Sequence, residues 1–428
     1  MEILENLSLN NIDTILKRPG IESEHLDGII KNVIQRVKTS GDAALKELTL
    51  QFDKVSLESL KVTSEEISAS NSLVSDELKK AIQQAKANIE LFHSKQKKET
   101  LEVETMPGVN CWRKSVPIQK VGLYIPGGTA PLFSTVLMLG IPAKIAGCNE
   151  IVLCTPPDKQ GNIDPAIVYT AQLVGIESII KVGGAQAIAA LANGTETVTK
   201  VDKIFGPGNQ YVTKAKQMVN LDGTSIDMPA GPSEVAVIAD DSADADFIAA
   251  DLLSQAEHGE DSQVILISTS KSLVNEVVKA IDVQLQELPR KEVATKCLLN
   301  SKAVITSTMQ EAIAISNAYA PEHLIINCND SIEVAKQITQ AGSVFIGPYT
   351  PESAGDYASG TNHTLPTNGA ARAYSGVSLD SFMKEITFQS INKEGIKNLG
   401  PTIEVMAEAE QLIAHKNAVS IRLKKLEV

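Results

Sequence analysis

The chain has 428 residues, of which 43% are hydrophobic and 21% are charged. This composition is typical of a globular protein, and the length predicts two or more domains, each with its own core. The formal net charge of -13 argues against nonspecific binding to nucleic acid or to anionic membranes, because both surfaces would repel it. We therefore expect a small-molecule substrate, no nucleic acid partner and no membrane partner.

The start of the sequence does not resemble a secretory signal, since Glu2 and Glu5 interrupt its apolar positions. No apolar run is long enough to span a bilayer. The five cysteines are scattered and form no C-x-x-C pair, which favours reduced thiols and a cytoplasmic location. Any metal site in such a protein would be expected to use nitrogen and oxygen ligands.

Helical periodicity is predicted over residues 22–52 and 75–95, after a short arm. From residue 121 onward, short apolar strands alternate with helices, which predicts βαβ units and parallel sheets. The strands are predicted at residues 121–125, 151–154, 178–182, 203–205, 234–238, 264–268, 303–305, 324–327 and 343–346. After Gly347 we expect a long loop, and a helix is predicted over residues 402–423.

The predicted fold class is α/β, with two Rossmann-like open-sheet lobes and small N- and C-terminal helical arms. We assign residues 1–20 to the N-terminal arm. Residues 21–122 and 235–376 are grouped into a larger α/β lobe, and residues 123–234 form the second α/β lobe. Residues 377–428 are assigned to the C-terminal helical arm.

The most informative stretch is Ala320-Pro321-Glu322-His323-Leu324. Pro321 biases Ala320 toward extended geometry and is expected to end the preceding helix. Neighbouring side chains point to different faces of a helix or strand, so Glu322 and His323 can serve one pocket only from a loop or from the end of an element. Catalytic groups commonly lie in such places, although an isolated Glu-His pair is more often a solvated turn.

Four further residues are candidates for binding a metal. Gln255 and His258 lie three positions apart at a predicted helix end, where Gly259 is expected as a left-handed cap. Their oxygen and nitrogen atoms can ligate a divalent cation, but the helix dipole alone also favours a histidine there. Asp356 lies in the long loop as a third ligand or as part of an Asx turn. His415, on the C-terminal helix, is by itself typical of a surface residue.

Three glycine-containing turns each follow a predicted strand and precede a helix, at residues 126–128, 183–184 and 206–209. Backbone N–H groups and the helix dipole favour anions such as a pyrophosphate at these places. None of the turns is a complete G-x-G-x-x-G motif, so spacing alone permits a nicotinamide cofactor without establishing one. Ser233 begins a strand at the junction between the lobes, which suits either a ligand contact or a hinge.

Seven segments, in order along the chain from about residue 20, resemble histidinol dehydrogenase. They are residues 121–130, 183–190, 206–212, 227–234, 255–259, 320–324 and 355–364. The resemblance implies a cytoplasmic, zinc-dependent homodimer that oxidises L-histidinol through L-histidinaldehyde to L-histidine with two NAD. These are the last two steps of histidine biosynthesis.

The resemblance also implies roles for individual residues. Those matched to one Zn²⁺ per subunit, in the larger lobe, are Gln255, His258, Asp356 and His415. Glu322 and His323 match the acid/base pair. NAD contacts in the second lobe match Tyr124, Gln186 and Asn209. Substrate contacts match Ser233, Gln255, His258, His323, Asp356, Glu410 and His415. The C-terminal arm is implied to complete the partner's site, and His363 lies near the site without a definite role.

Two other function classes are compatible with the residues taken alone. In a metal-dependent hydrolase, Glu322 would activate water and no redox step would occur. A two-lobed binding protein could use hinge-like junctions at Ile125 and Ser233, but it would not need the pair Glu322 and His323. Reduction of NAD in the presence of histidinol separates the dehydrogenase from the hydrolase.

Overall fold

The computed structural model describes residues 1–5, 7, 11–19, 26–127, 130–228 and 231–426. The start of the predicted helix at residues 22–25 lies outside this range, as do Gly128 of the first glycine turn and residues 229–230 before Ser233. The strands are β1 (Glu2–Glu5), β2 (Leu101–Met106), β3 (Val109–Pro117), β4 (Lys120–Tyr124), β5 (Glu150–Thr155), β6 (Ser178–Lys181), β7 (Lys203–Phe205), β8 (Ser225–Ile226), β9 (Glu234–Ala239), β10 (Gln263–Ser268), β11 (Lys302–Ile305), β12 (His323–Asn327), β13 (Ser343–Ile346) and β14 (Met383–Ile391).

The helices occupy the intervals between these strands and both ends of the chain. They are α1 (Ile12–Ile15), α2 (Leu26–Phe52), α3 (Ser64–Leu73), α4 (Asp76–Ser94), α5 (Phe133–Ala146), α6 (Pro165–Val174), α7 (Gly184–Asn193), α8 (Gln210–Leu221), α9 (Ala245–Ala256), α10 (Lys271–Gln284), α11 (Lys291–Leu299), α12 (Met309–Tyr319), α13 (Ser331–Ala335), α14 (Glu352–Tyr357), α15 (Lys393–Ala409) and α16 (Ile413–Leu426). Within the described residues, no helix is long and apolar enough to cross a membrane.

The larger sheet is entirely parallel, with strand order β1-β11-β10-β9-β12-β13. Strands β9, β10 and β12 are buried along their whole length, as expected for the centre of a sheet covered on both faces. Alternate residues of β9 point to opposite faces. Val235 and Val237 pack with α9, α10 and α11, whereas Ala236 and Ile238 pack with α1 and α12.

The smaller sheet is also parallel, with strand order β6-β5-β4-β7-β8. Helices α2, α7 and α8 cover one face, and α4, α5 and α6 cover the other. The helices within residues 26–94 therefore pack on this sheet, whereas the sequence grouped residues 21–122 with the larger lobe. Periodicity reveals that a helix has an apolar face but not which sheet will cover it.

The chain ends differ from the predicted helical arms. Strand β1 is the edge strand of the larger sheet, paired with β11 from Glu2↔Lys302 to Glu5↔Ile305. Strand β14 pairs antiparallel with β3, which also pairs with β2, in a three-stranded sheet that the sequence did not predict. Trp112 of β3 stacks on Phe388 of β14, with ring centroids 5.3 Å apart. Helices α15 and α16 pack on each other beyond this sheet.

Contacts near residues 362–363 join the two lobes. The Asn362 side chain donates to the backbone carbonyl of Met138 in α5 at 2.6 Å, and His363 Nε2 lies 3.1 Å from the hydroxyl of Thr135 in the same helix. The chain therefore forms the predicted α/β fold with two open parallel sheets, and the connection after α14 fixes one lobe to the other.

Candidate active site

The turn between α12 and β12 presents the candidate acid/base pair. Helix α12 ends at Tyr319, and Ala320 caps it in a left-handed conformation, with φ 54° and ψ 67°. The expected extended geometry of Ala320 was wrong. A following proline disfavours the right-handed helical region, and the left-handed region also ends a helix. His323 is the first residue of β12, so the prediction that Glu322 and His323 lie at the end of an element is confirmed.

Three carboxylates surround the His323 ring. Its Nδ1 lies 3.7 Å from Glu322 Oε2 and 3.6 Å from Glu352 Oε1, and its Nε2 lies 3.5 Å from Asp356 Oδ1. The side chains of Glu322, His323 and Glu352 are buried. Glu352 was not predicted. Its signal in the sequence is its position four residues before Asp356, which places both carboxylates on one face of α14.

The backbone of Glu234 contacts both members of the pair. Its N–H donates to Glu322 Oε2 at 2.9 Å, and its carbonyl oxygen lies 3.2 Å from His323 Nδ1. A carbonyl can only accept, so Nδ1 carries a proton and Nε2 is the nitrogen that can exchange one. Nε2 is buried and makes no hydrogen bond within the described residues, so it is oriented but unsatisfied.

The burial and charge of this cluster shift its pKa values. Burial raises the pKa of Glu322 to about 8 and raises that of Glu352 well above its ordinary value. Burial alone would lower the pKa of His323, but Glu352, Glu322 and Asp356 together raise it well above its usual range. Burial opposes ionisation of Asp356, yet the nearby His323 ring, 3.5 Å away, holds its pKa below the ordinary value. These pKa values favour neutral carboxyl groups on Glu322 and Glu352 beside an ionised pair of His323 and Asp356.

Several buried polar atoms near this cluster have no hydrogen-bond partner among the described residues. They are Gln255 Oε1 and Nε2, His323 Nε2, both carboxylate oxygens of Glu352 and Asp356 Oδ1. Unsatisfied buried polar atoms are costly and uncommon in native proteins, so their convergence indicates a bound ligand. Ligand atoms of His323, Glu352 and Asp356 lie within 4.8 Å of one another, close enough to hold a metal ion. The oxygen and nitrogen donors suit a borderline divalent cation such as zinc.

The predicted metal ligands occupy different environments. Gln255 is fully buried on α9, against which α14 packs. Asp356 lies on α14, not in the long loop predicted for it. Helix α9 ends at Ala256, so His258 lies beyond the helix and is exposed, and Gly259 does not have the predicted left-handed conformation. His415 on α16 is also exposed.

Two other predicted substrate contacts lie on separate elements. Ser233 is half-buried and immediately precedes β9, and Glu410 is exposed at the end of α15. His363 Nδ1 lies 2.9 Å from the backbone carbonyl of Asp356, and burial lowers the pKa of its ring. Because its Nε2 contacts Thr135, His363 links the carboxylate cluster to the smaller lobe.

The three predicted NAD contacts line one cavity of about 840 Å³ in the smaller lobe. Tyr124 ends β4, Gln186 lies in the first turn of α7 and Asn209 caps α8. The hydroxyl of Tyr124 accepts from the Gly184 N–H at 3.1 Å, and burial raises its pKa to about 12. The structure therefore brings these residues together where the carboxyl ends of parallel strands meet helix N-termini, an arrangement that favours anionic ligands.

Comparison with known proteins is consistent with this geometry. The family model for histidinol dehydrogenase matches residues 16–423. A histidinol dehydrogenase of Bacteroides thetaiotaomicron is 60% identical over 427 residues, covering 100% of both chains, and one of Vibrio parahaemolyticus is 54% identical, covering 99% of this chain and 98% of its own. The crystal structure of histidinol dehydrogenase from Elizabethkingia anophelis superposes with a TM-score of 0.98 at 56% identity, covering 100% of this chain and 99% of that one. The chain therefore belongs to the histidinol dehydrogenase family of NAD-dependent oxidoreductases.

Proposed function

We propose that this protein oxidises L-histidinol through L-histidinaldehyde to L-histidine with two NAD, in the last two steps of histidine biosynthesis. Family membership supports the reaction. The observation that carries the assignment of residues is the buried pair of Glu322 and His323, with His323 Nε2 3.5 Å from the unsatisfied Oδ1 of Asp356. A solvated turn would not bury an acid and an imidazole together.

One Zn²⁺ per subunit would be held by Gln255, His258 and Asp356, together with His415 contributed by the partner subunit. The buried oxygens without partners among the described residues support a divalent cation here, because a bound cation would satisfy them. When bound, zinc supplies a Lewis acid for the imidazole and amino nitrogens of histidinol. Glu352, whose oxygens reach the same space, is a further residue that tunes the site.

His323 is the base of the first oxidation. As hydride leaves the carbinol carbon for NAD, Nε2 of His323 accepts the alcohol proton, because Nδ1 is occupied by the Glu234 carbonyl. The three carboxylates around His323 favour its protonated form. Neutralising Asp356 with a bound cation would remove one of these charges and leave Nε2 able to accept a proton.

Glu322 is the base of the second oxidation. Its carboxylate takes a proton from the water that adds to L-histidinaldehyde, and the resulting hydrate loses a second hydride to the second NAD. Burial raises the pKa of Glu322 to about 8, so the group can hold a proton and release it near neutral pH. The remaining substrate contacts in this proposal are Ser233 and Glu410.

NAD would bind in the cavity lined by Tyr124, Gln186 and Asn209. Asn209 Oδ1 accepts from the N–H groups of Tyr211 and Val212, which fixes the start of α8. We propose that residues 123–234 form the lobe that contacts NAD, and that the lobe containing residues 235–376 carries the metal site. A cytoplasmic location suits both NAD and the five free cysteines.

The surface of the C-terminal region supports a homodimer. Strand β14 has no fully buried residue, and α16 has one buried residue, Val419. Large apolar side chains exposed in this region are Ile386, Phe388, Ile391, Val405, Met406, Leu412, Ile413 and Ile421. Exposed apolar surface of this extent is typical of an interface. In the proposed dimer, this arm carries Glu410 and His415 to the partner's site.

The test is the absorbance of reduced nicotinamide after zinc-loaded protein is mixed with limiting L-histidinol and excess NAD. We expect two NADH per histidinol, with activity abolished by a chelator and restored by zinc. One NADH would mean an alcohol dehydrogenase that stops at the aldehyde. No NADH would favour the metal-dependent hydrolase, in which Glu322 activates water without a redox step.

A further inference from the structure

Arg18 lies before the first large helix and makes contacts on the turn that carries the acid/base pair. Its Nη2 donates to the backbone carbonyls of Tyr319 at 2.7 Å and of Ala320 at 3.3 Å. Ala320 holds a left-handed conformation that L-residues seldom adopt, so the surrounding contacts must stabilise it. Arg18 supplies two of these contacts at the point where the chain turns from α12 toward Glu322.

The same guanidinium forms a bidentate salt bridge with Glu234. Arg18 Nε and Nη2 lie 2.5 and 2.7 Å from the two carboxylate oxygens, and Glu234 is buried. The guanidinium also lies 3.9 Å above the ring of Tyr319. Paired planar geometry of this kind fixes orientation as well as distance.

Glu234 transmits this constraint to both catalytic groups through its backbone. Its N–H holds Glu322 and its carbonyl faces His323 Nδ1, while its side chain is held by Arg18 and by the N–H of Asn368. One residue therefore joins the ion pair to the carboxylate and to the imidazole. A shift of Glu234 would displace Glu322 and His323 relative to each other.

The segment around Arg18 is itself anchored. Gln263 Nε2 donates to the carbonyl of Lys17 at 3.1 Å, and Gln263 Oε1 accepts from the hydroxyl of Tyr319 at 2.8 Å. Tyr319 therefore contacts Arg18 through its ring and is linked to Lys17 through its hydroxyl and Gln263. The side chain of Arg18 is only 15% exposed, so this arrangement is not a solvated surface ion pair.

We propose that Arg18 and Glu234 form a positioning pair that sets the relative placement of Glu322 and His323. This inference rests on the proposed function, because the roles of Glu322 and His323 belong to it. The contacts of Arg18 with Glu234, Tyr319 and Ala320 lead to the acid/base pair. We therefore expect the pair to act mainly on the proton-transfer steps, with smaller effects on binding of substrate and metal.

The experiment measures kcat and KM for histidinol, the rate with supplied L-histidinaldehyde, and zinc content for Arg18→Ala and Arg18→Lys. Displacement of catalytic groups by an ångström can cost about 10²-fold in rate. We expect kcat of Arg18→Ala to fall ~10- to 100-fold, with KM for histidinol within about twofold and zinc content unchanged. Arg18→Lys should have an intermediate kcat, because an ammonium group keeps the charge but cannot form the bidentate salt bridge with Glu234.

Added guanidinium chloride at millimolar concentration should partly restore kcat of Arg18→Ala, whereas equal concentrations of urea or sodium chloride should not. The matched control is Arg36→Ala, which removes the ion pair to Glu47 on the exposed surface of α2 and should keep wild-type kcat. If Arg18→Ala does not fold, Arg18→Lys decides the question. A soluble Arg18 variant with wild-type kcat, or equal losses in kcat, KM and zinc without rescue by guanidinium, would overturn the inference.

The result that would overturn the proposed function differs from the result that would overturn only the positioning role. Wild-type protein that does not reduce NAD with histidinol would overturn both the function and the positioning role. Active wild-type protein whose Arg18→Lys variant keeps full kcat for both oxidations would overturn only the positioning role. The two results are distinguishable in the same assay.

Discussion

The two candidate sites lie at opposite ends of their parallel strands. In the smaller lobe, Tyr124 is the last residue of β4, and the cavity lies at the carboxyl ends of the strands, where strand order reverses around β4. In the larger lobe, His323 is the first residue of β12, so the carboxylate cluster lies at the amino end of its strand. The usual rule for ligand sites in open α/β sheets therefore predicts the cavity of the smaller lobe but not the carboxylate cluster of the larger one.

The two sites also differ in the chemical groups that form them. Backbone N–H groups at helix N-termini lie beside the cavity, and its lining mixes apolar side chains with Asp53, Asp158, Lys159 and Asp164. Tyr124 stays protonated there because burial raises its pKa to about 12. The cluster consists of ionisable side chains whose pKa values are displaced by burial and by one another. We conclude that the first site is suited to bind and the second to transfer protons. Substitutions in the two sites should have effects of different kinds and sizes.

The largest expected effect is that of Glu322→Gln in the cluster. Glutamine keeps the shape and can accept from the Glu234 N–H, but it cannot take a proton from water. We expect oxidation of supplied L-histidinaldehyde to slow by ~10²-fold or more, while a single turnover of histidinol to the aldehyde is retained. Measuring the two half-reactions separately checks this, and equal losses in both would contradict the division between Glu322 and His323.

A smaller effect is expected for Glu352→Gln, which removes one carboxyl group from the cluster. The buried carboxylate of Glu352 has no hydrogen-bond partner among the described residues and lies within reach of Asp356 and His323. We expect zinc affinity to fall ~10- to 100-fold, as for other residues that support metal ligands. Competition with a zinc chelator measures it. Glu333→Gln, in an exposed ion pair with Lys336, is the matched control, and equal affinities would exclude Glu352 from the metal site.

The pH dependence of aldehyde oxidation should report the raised pKa of Glu322. The active form is the carboxylate, whose fraction rises with pH through the pKa of about 8. We expect the rate to rise ~fivefold between pH 7 and pH 8 and to level off above pH 9. The Glu322→Gln variant should not show this rise. A wild-type rate that is constant over the same interval would show that another group limits the step.

The smallest effect is expected in the cavity, where Asn209 can be changed in two ways. Asn209→Asp keeps an oxygen that caps α8 but adds a negative charge near a bound pyrophosphate, so KM for NAD should rise ~3- to 10-fold at unchanged stability. Asn209→Ala removes the cap and should lower the free energy of unfolding by about 1 kcal/mol. Thermal unfolding and NAD titration separate capping from binding. A normal KM in both variants would remove Asn209 from the NAD site.

Much of the fold was predictable because parallel sheets produce continuous apolar strands between amphipathic helices. The three-stranded sheet was not, since the burial of β14 and β2 shows no sustained alternation and the pairing of β14 with β3 joins residues far apart in sequence. Exposed strands lack the pattern on which such predictions depend. Residues 26–94 were assigned to the larger lobe but pack on the smaller sheet. The lobe to which a helix belongs depends on tertiary contacts, which local periodicity does not reveal.

In the candidate site, too, local sequence patterns were predictable and long-range contacts were not. Glu322 and His323 were recognisable as neighbours, and Tyr124, Gln186 and Asn209 lie in or next to glycine turns, although only the family resemblance singled them out. Glu352 was missed because the segment was predicted to be a loop, which hides the four-residue spacing to Asp356. The role of Arg18 could not be predicted, since its partners Glu234 and Tyr319 are about 200 to 300 positions away.

The edge pairing of β1 has a consequence for the order of assembly during synthesis. Glu2 pairs with Lys302, so the larger sheet cannot be completed until some 300 residues have been translated. The smaller sheet and its covering helices come from one continuous stretch, residues 26–226, and can form while the rest of the chain is still being made. Synthesis from the N-terminus therefore favours folding of the smaller lobe first, and the second half of the polypeptide then folds against it.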